Sequence, residues 1–349
     1  MALTLQRPKR LRPGDRIAVV SPSWGGPGTF PHRYQAGRQQ LEEVFGLEII
    51  EMLHALAPPD FVSAHPELRA ADLHQAFADP TISGIFASIG GDDAIRLLPH
   101  LDLDVIRRNP KVFLGFSDTT AIHLACLTAG LTSFYGPSIM AGFAENGGMH
   151  AYTVESLRQT LFSAEPPGLI PVNTMGWTTE RIEWADPALQ SQKRTLNPSP
   201  APTILQGTGI ARGHLIGGCA EVLEMAKGTA WWPSLDQWQV AILFYETSED
   251  ATSPDFIRHW LRNYAAQGIL HRLKGILLAR PDPEHAPNYQ AQLEATVVDC
   301  LAEAGLPDLP VLSGLDFGHT QPMLTLPYGA TAEINCAKAN LTIMTSGVV

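Results

Sequence analysis

The sequence predicts an α/β fold in two parts: a mainly parallel sheet with covering helices, then a smaller mixed α/β unit rich in short strands. Three observations carry this. Strand-sized apolar runs alternate with helical spacing through residues 17–129, the alternation breaks between about 166 and 202, and it restarts at 211. The length, 349 residues, also exceeds one comfortable hydrophobic core, so two domains are the default.

Residues 17–21 read as a short buried strand, followed by a Pro/Gly loop over 22–27. Helical spacing occupies 34–44, a second strand 47–52 and a second helix 67–77. The β-branched stretch 82–89 ends in Gly90 and Gly91, after which Asp92 and Asp93 read as an N-cap pair opening a further helix. A strand over 112–114 and a helix over 119–129, apolar at Ile122, Leu124, Ala125 and Leu127, close the first half. Strands separated by helices of this length call for right-handed crossovers and parallel pairing.

Between 166 and 202 seven prolines and two tryptophans, Trp177 and Trp184, replace periodicity. Long stretches of this kind are functional lids or connectors, and the tryptophans favour a lid. Beyond it, strands are expected at 211–218, 239–245, 275–279 and 309–312, and helices at 219–226, 255–266 and 289–304. The tail, over 323–327, 331–335 and 341–344, reads as short antiparallel strands. The expected division is 1–165, a lid or linker over 166–205, and 206–349.

With 24 basic against 35 acidic side chains the net charge is −11, which disfavours nucleic acid and anionic lipid as partners. The basic cluster Arg7, Lys9, Arg10, Arg12 and Arg16 is interrupted by Pro8 and Pro13 and lacks a following apolar region, so it does not read as a secretory signal. No apolar run approaches the roughly 20 residues that span a bilayer. Cys126, Cys219, Cys300 and Cys336 form no Cys-x-x-Cys pair, so neither a zinc site nor a disulfide framework is expected. The chain reads as cytoplasmic.

Chemistry points first to Gly115-Phe116-Ser117-Asp118-Thr119, between a strand and a helix. A serine on such a turn exposes its hydroxyl above the sheet, near N–H groups that favour developing negative charge. Thr119 leaves the Gly-x-Ser-x-Gly elbow incomplete, and a serine before a helix is most often only an N-cap. A nucleophilic serine needs a base, the base an orienting group, and the oxyanion its donors. Of twelve histidines, His319 stands in a turn between two strand signals, neither periodic core nor helix surface. Glu246 follows an apolar strand, where α/β proteins place ligand-handling groups, although a solvent-exposed Glu after an edge strand would look the same. Gly90-Gly91 suits close backbone approach to a reacting carbonyl; no Gly-x-Gly-x-x-Gly or Gly-Lys-Ser/Thr supports nucleotide binding there.

Six stretches in order resemble one family, the serine peptidases comprising LD-carboxypeptidases and microcin C self-immunity peptidases. They are LRPGDRIAVVSP at 11–22, IGG at 89–91, GFSD at 115–118, HLIGG at 214–218, LFYETSE at 243–249 and FGHTQPM at 317–323. The resemblance implies Ser117 as nucleophile, His319 as base and Glu246 as the acidic member, with Gly91 and Asp118 N–H groups as the oxyanion hole. It implies a Rossmann-like N-terminal domain, a C-terminal domain carrying Glu246 and His319, a site between them, commonly a homodimer, and no metal or cofactor. Gly90-Gly91-Asp92 and the tryptophan-bearing insert look more like the immunity branch, in which Trp184 matches a residue that stacks on the nucleotide part of the substrate. Cys219 stands where the family generally has Asn, and Asp250 where the immunity branch has a substrate-holding Lys, so the two positions are candidate substrate contacts with altered acyl preference.

The expected activity is therefore amide hydrolysis near a peptide C-terminus, on a murein tetrapeptide or related substrate. The alternative substrate is the amide of a peptidyl- or aminoacyl-nucleotide. A non-catalytic ligand-binding protein is the rival from another class. An α/β-hydrolase-type esterase shares the order Ser, acid, His, but lacks support at Thr119.

Overall fold

The computed structural model describes residues 3–282 and 288–349. Among these residues fourteen strands build two sheets. The first holds β1 (Arg16–Val20), β2 (Glu48–Glu51), β3 (Ile82–Ala87), β4 (Val112–Gly115), β5 (Phe134–Tyr135) and β12 (Leu326–Pro327), in the order β12-β5-β4-β3-β1-β2. All its pairings are parallel except β12 on β5. β1, β3 and β4 are almost wholly buried, as expected of strands covered on both faces by crossover helices. Helices Pro31–Phe45, Pro66–Ala78 and Thr120–Ala129 supply crossovers.

The second sheet runs β6 (Gly168–Leu169), β14 (Asn340–Ile343), β13 (Thr331–Asn335), β8 (Ile210–Cys219), β9 (Ala241–Glu246), β10 (Gly275–Ala279), β11 (Val311–Leu315) and β7 (Thr203–Gln206). Its centre, β8-β9-β10-β11, is parallel and buried, while the edge pairings are antiparallel.

One expectation needs correction. Asp92 and Asp93 open no capped α-helix: Ala94–His100 is a 3-10 turn without a side-chain cap. Asp93 instead pairs with Arg69 and Arg96, both at 3.1 Å. The first tail strand leaves its neighbours and closes the edge of the other sheet, beside β5. That crossing ties the C-terminal half to the nucleophile sheet. Ser117 follows β4, Gly90-Gly91 follows β3 and Ser23 follows β1, so all three stand beyond the carboxyl ends of parallel strands, where α/β sheets gather ligands.

Candidate active site

β4 ends at Gly115, Phe116 is extended, and Ser117 turns the chain with φ 60° before helix Thr120–Ala129. Positive φ at a non-glycine residue costs roughly 1–3 kcal/mol and persists only where the surroundings enforce it. Here the turn lifts the hydroxyl off the sheet. Gly90 faces it: a Cβ there would stand 2.9 Å from Ser117 Cβ, 3.0 Å from its Oγ and 3.5 Å from Asp118 N. Glycine thus keeps open the space a substrate carbonyl needs beside the Asp118 N–H. Gly91 lines the same cavity. The Asp118 carboxylate points away and is fully buried, accepting from Ser23 Oγ and from the N–H groups of Asp93 (2.9 Å) and Ala94 (2.7 Å). It thereby clamps the Gly90-Gly91 loop to the nucleophile turn.

His319 arrives from the loop after β11. Its Nε2 lies 3.0 Å from Ser117 Oγ and its Nδ1 2.6 Å from Glu246 Oε2. Gly318 makes the approach possible, since a Cβ there would be 2.6 Å from Glu246 Oε2. Burial opposes a charged imidazole, but Glu246 first, then Glu249 and Glu221, outweigh it and raise His319 to about 9. Burial also pushes the Glu246 carboxyl up, countered by the hydrogen bonds from His319 and Tyr135. A serine, an imidazole and a buried carboxylate in hydrogen-bonded series can move a proton off the hydroxyl and stabilise the resulting imidazolium.

Tyr135, not singled out by the sequence, joins the ends of this series. Its hydroxyl donates to Glu246 Oε1 and accepts from the Ser117 N–H at 3.1 Å. Nothing marked it, because its partners Ser117 and Glu246 stand 18 and 111 residues away in sequence. A hydrogen bond to a charged group is worth roughly 1.5–3 kcal/mol. Tyr135→Phe is therefore expected to lower kcat/KM by about 10- to 100-fold. Circular dichroism should show an intact fold; unchanged kinetics would mean that Tyr135 only fills space.

The site opens on a cavity of about 700 Å³. The proline-rich stretch forms one wall through Thr179–Trp184 and Arg194, facing Trp24, Phe30 and Arg33. Arg194 Nε donates to the buried Glu145 at 2.8 Å and its Nη2 makes a second contact there. His32 Nε2 meets the Trp184 carbonyl at 2.7 Å. Thr178 and Gln321 exchange two backbone hydrogen bonds, at 2.7 and 3.0 Å, which couples the lid to the His319 loop. Trp184 meets Phe30 edge-on at 5.9 Å and carries the Arg33 guanidinium over its ring at 4.0 Å.

Cys219 and Asp250 are not among the residues lining this cavity. Cys219 is buried at the end of β8 with its thiol 3.1 Å from Glu221 Oε2, and Asp250 is exposed, its N–H directed to Ser248 Oγ at 3.3 Å. Glu249 reaches the site instead, its Oε2 3.0 Å from His319 Nε2.

A mainly parallel α/β sheet presenting a serine at a strand end, backed by imidazole and carboxylate from a second sheet, defines a serine-hydrolase architecture. Family models narrow it: the LD-carboxypeptidase N-terminal domain matches residues 17–136 and the LD-carboxypeptidase C-terminal domain residues 212–334. The chain belongs to the LD-carboxypeptidase family and is a serine-type carboxypeptidase. The microcin C7 self-immunity protein MccF of Escherichia coli is 28% identical over 332 residues, covering 95% of this chain and 93% of that protein. The murein tetrapeptide carboxypeptidase of Pseudomonas aeruginosa is 30% identical over 123 residues, 35% of this chain and 39% of that one. Among solved structures, an MccF-like protein from Streptococcus pneumoniae in complex with AMP has a TM-score of 0.84 at 30% identity, covering 94% of this chain and 98% of that one. Among the described residues no helix is long and apolar enough to cross a membrane.

Proposed function

We propose that Ser117, His319 and Glu246 carry out acyl transfer on an amide near a peptide C-terminus, with Gly91 and Asp118 N–H groups holding the oxyanion. The observation behind this is the continuous series from Glu246 through His319 to Ser117, opening on one cavity. His319 takes the hydroxyl proton as Ser117 attacks, then gives it to the leaving amine; water resolves the acyl-enzyme by the same route. The division at 165 and 205 and a cytoplasmic location, both read from the sequence pattern, belong to the proposal, as does a homodimer, which the family resemblance implies. Mass spectrometry after incubation with a murein tetrapeptide tests the reaction: release of D-Ala supports it.

A peptidyl- or aminoacyl-nucleotide amide is the second substrate reading, favoured by the aromatic wall of Trp24, Phe30 and Trp184. MccF has been solved with aspartyl sulfamoyl adenosine, at 26% identity to this chain and a TM-score of 0.82, covering 99% of this chain and 100% of that one. Arg33 covers one face of the Trp184 indole, so a base would take the other face or displace the guanidinium. Base-on-aromatic stacking is worth roughly 1–3 kcal/mol. Trp184→Ala should therefore cost between about fivefold and 150-fold in kcat/KM on an aminoacyl sulfamoyl adenosine. On a murein tetrapeptide, whose D-Ala leaving group has nothing to stack, the change should be far smaller. Equal losses on both substrates would make Trp184 a lid anchor and end the nucleotide reading.

A further inference from the structure

His319 Nε2 has two partners at the same distance: Ser117 Oγ at 3.0 Å and Glu249 Oε2 at 3.0 Å. They make opposite demands. With its Nδ1–H donating a hydrogen bond to Glu246, a neutral imidazole presents a lone pair at Nε2, which can accept from a hydroxyl but offers a carboxylate nothing. Contact with Glu249 therefore calls for a proton on Nε2. An imidazolium gripped by Glu246 at one nitrogen and Glu249 at the other cannot take the Ser117 proton.

We propose that Glu249 is a displaceable latch on the base: its carboxylate holds His319 protonated in the free enzyme and is released when substrate enters. This rests on the roles proposed for Ser117 and His319. Release follows from the chemistry. After attack, Nε2–H must donate to the leaving nitrogen, and Glu249 Oε2 stands within hydrogen-bond reach of that same proton. Substrate and Glu249 compete for one place.

The fold suits a side chain that moves on a loop that does not. The Glu249 side chain is 50% exposed, against 1% for Glu246. Its loop is pinned from helix Ala220–Ala226, where the Glu221 carboxylate accepts from the Ser248 N–H (3.2 Å) and from Thr252 Oγ1 (2.7 Å). The charged groups raising His319 are Glu246 from β9, Glu249 from the following loop and Glu221 from that helix. Tyr135 on β5 acts through Glu246, the Asp118 carboxylate is turned toward Ser23, and Arg181 across the cavity pairs with Asp282 at 3.4 Å. Removing Glu249 therefore removes one of three negative charges, and the only one of them in contact with Nε2.

The free enzyme is read by the rate at which a small fluorophosphonate labels Ser117 as a function of pH, in the native chain, Glu249→Gln and Glu249→Ala. The alanine variant guards against a new amide hydrogen bond at Nε2. Labelling needs neutral His319, so its rate should rise with pH and reach half-maximum near 9 in the native chain, following the raised imidazole. An opposite charge in contact shifts a pKa by about one unit or more, so both variants should reach half-maximum about one pH unit lower. At pH 7 they should label about tenfold faster, since one unit is a factor of ten in neutral imidazole. The enzyme–substrate complex is read by kcat against pH on an aminoacyl sulfamoyl adenosine. There all three proteins should share one inflexion, because Glu249 has already left. An unshifted labelling profile in both variants overturns the latch, as does a kcat inflexion that moves in parallel with it. Absence of Ser117 labelling in the native chain at any pH would instead overturn the role proposed for Ser117 beneath it.

Discussion

Ser117→Ala should fold like the native chain and lose turnover by about a million-fold, the scale on which members of such a relay fail. The fold is spared for local reasons. Alanine at φ 60° carries the strain that serine carries there, so the turn gains no new cost. The hydroxyl's hydrogen-bond partner is His319 Nε2, which keeps Glu249 beside it. The Ser117 N–H bond to Tyr135 belongs to the backbone and survives. Chemistry has no substitute, because among the described residues no other hydroxyl meets Nε2. His319→Ala should be as severe, and the double variant little worse than either, since each change alone disables the unit. Thermal unfolding, fluorophosphonate labelling and kcat/KM on the three proteins check this. Hydrolysis near the native rate by purified Ser117→Ala would remove Ser117 as nucleophile.

What could be read in the sequence depended on how local the signal was. The strand-to-helix turn at Ser117, the carboxylate after β9 and the histidine in a turn all stand at element ends, which apolar periodicity locates well. Their convergence is a product of topology: β12 crosses into the first sheet, Tyr135 meets Glu246, and Gly318 lets the His319 loop close on the carboxylate. None of these contacts has a local sequence signature. Tyr135 looks like any aromatic in a buried strand, and the structural use of the Asp118 side chain depends on Ser23, 95 residues away. Family correspondence, which singled out Cys219 and Asp250, does not carry the direction in which a side chain points. Cys219 and Asp250 adjoin site segments, yet one thiol turns toward Glu221 and the other side chain toward solvent, while Glu249, one residue before Asp250, reaches the imidazole. On a loop that reverses direction, one residue decides which way a side chain faces.

Glu246→Gln should reduce kcat by roughly 10⁴-fold, as the equivalent acid-to-amide change does in another relay of this kind. The hydrogen-bond arithmetic explains why so small a change matters. Glu246 uses two acceptor oxygens: Oε1 takes the Tyr135 hydroxyl and Oε2 the His319 Nδ1–H at 2.6 Å. An amide keeps one oxygen and replaces the other by an NH₂ donor. If its oxygen stays on His319, the NH₂ faces the Tyr135 hydroxyl, which must turn away from its present donation. If the oxygen stays on Tyr135, the NH₂ faces Nδ1 and selects the tautomer protonated at Nε2, leaving Ser117 no lone pair to receive its proton. In both cases the buried negative charge that stabilises the imidazolium is gone, so the inflexion of kcat/KM should also move to lower pH. That sign follows from removing a charge that raises His319. The Glu249 variants separate this orienting role from the latch: they leave the Nδ1 contact intact and should label Ser117 faster at pH 7, whereas Glu246→Gln should label it more slowly. Retention of more than about a tenth of native activity by Glu246→Gln, together with loss of activity in Glu249→Gln, would exchange the two assignments.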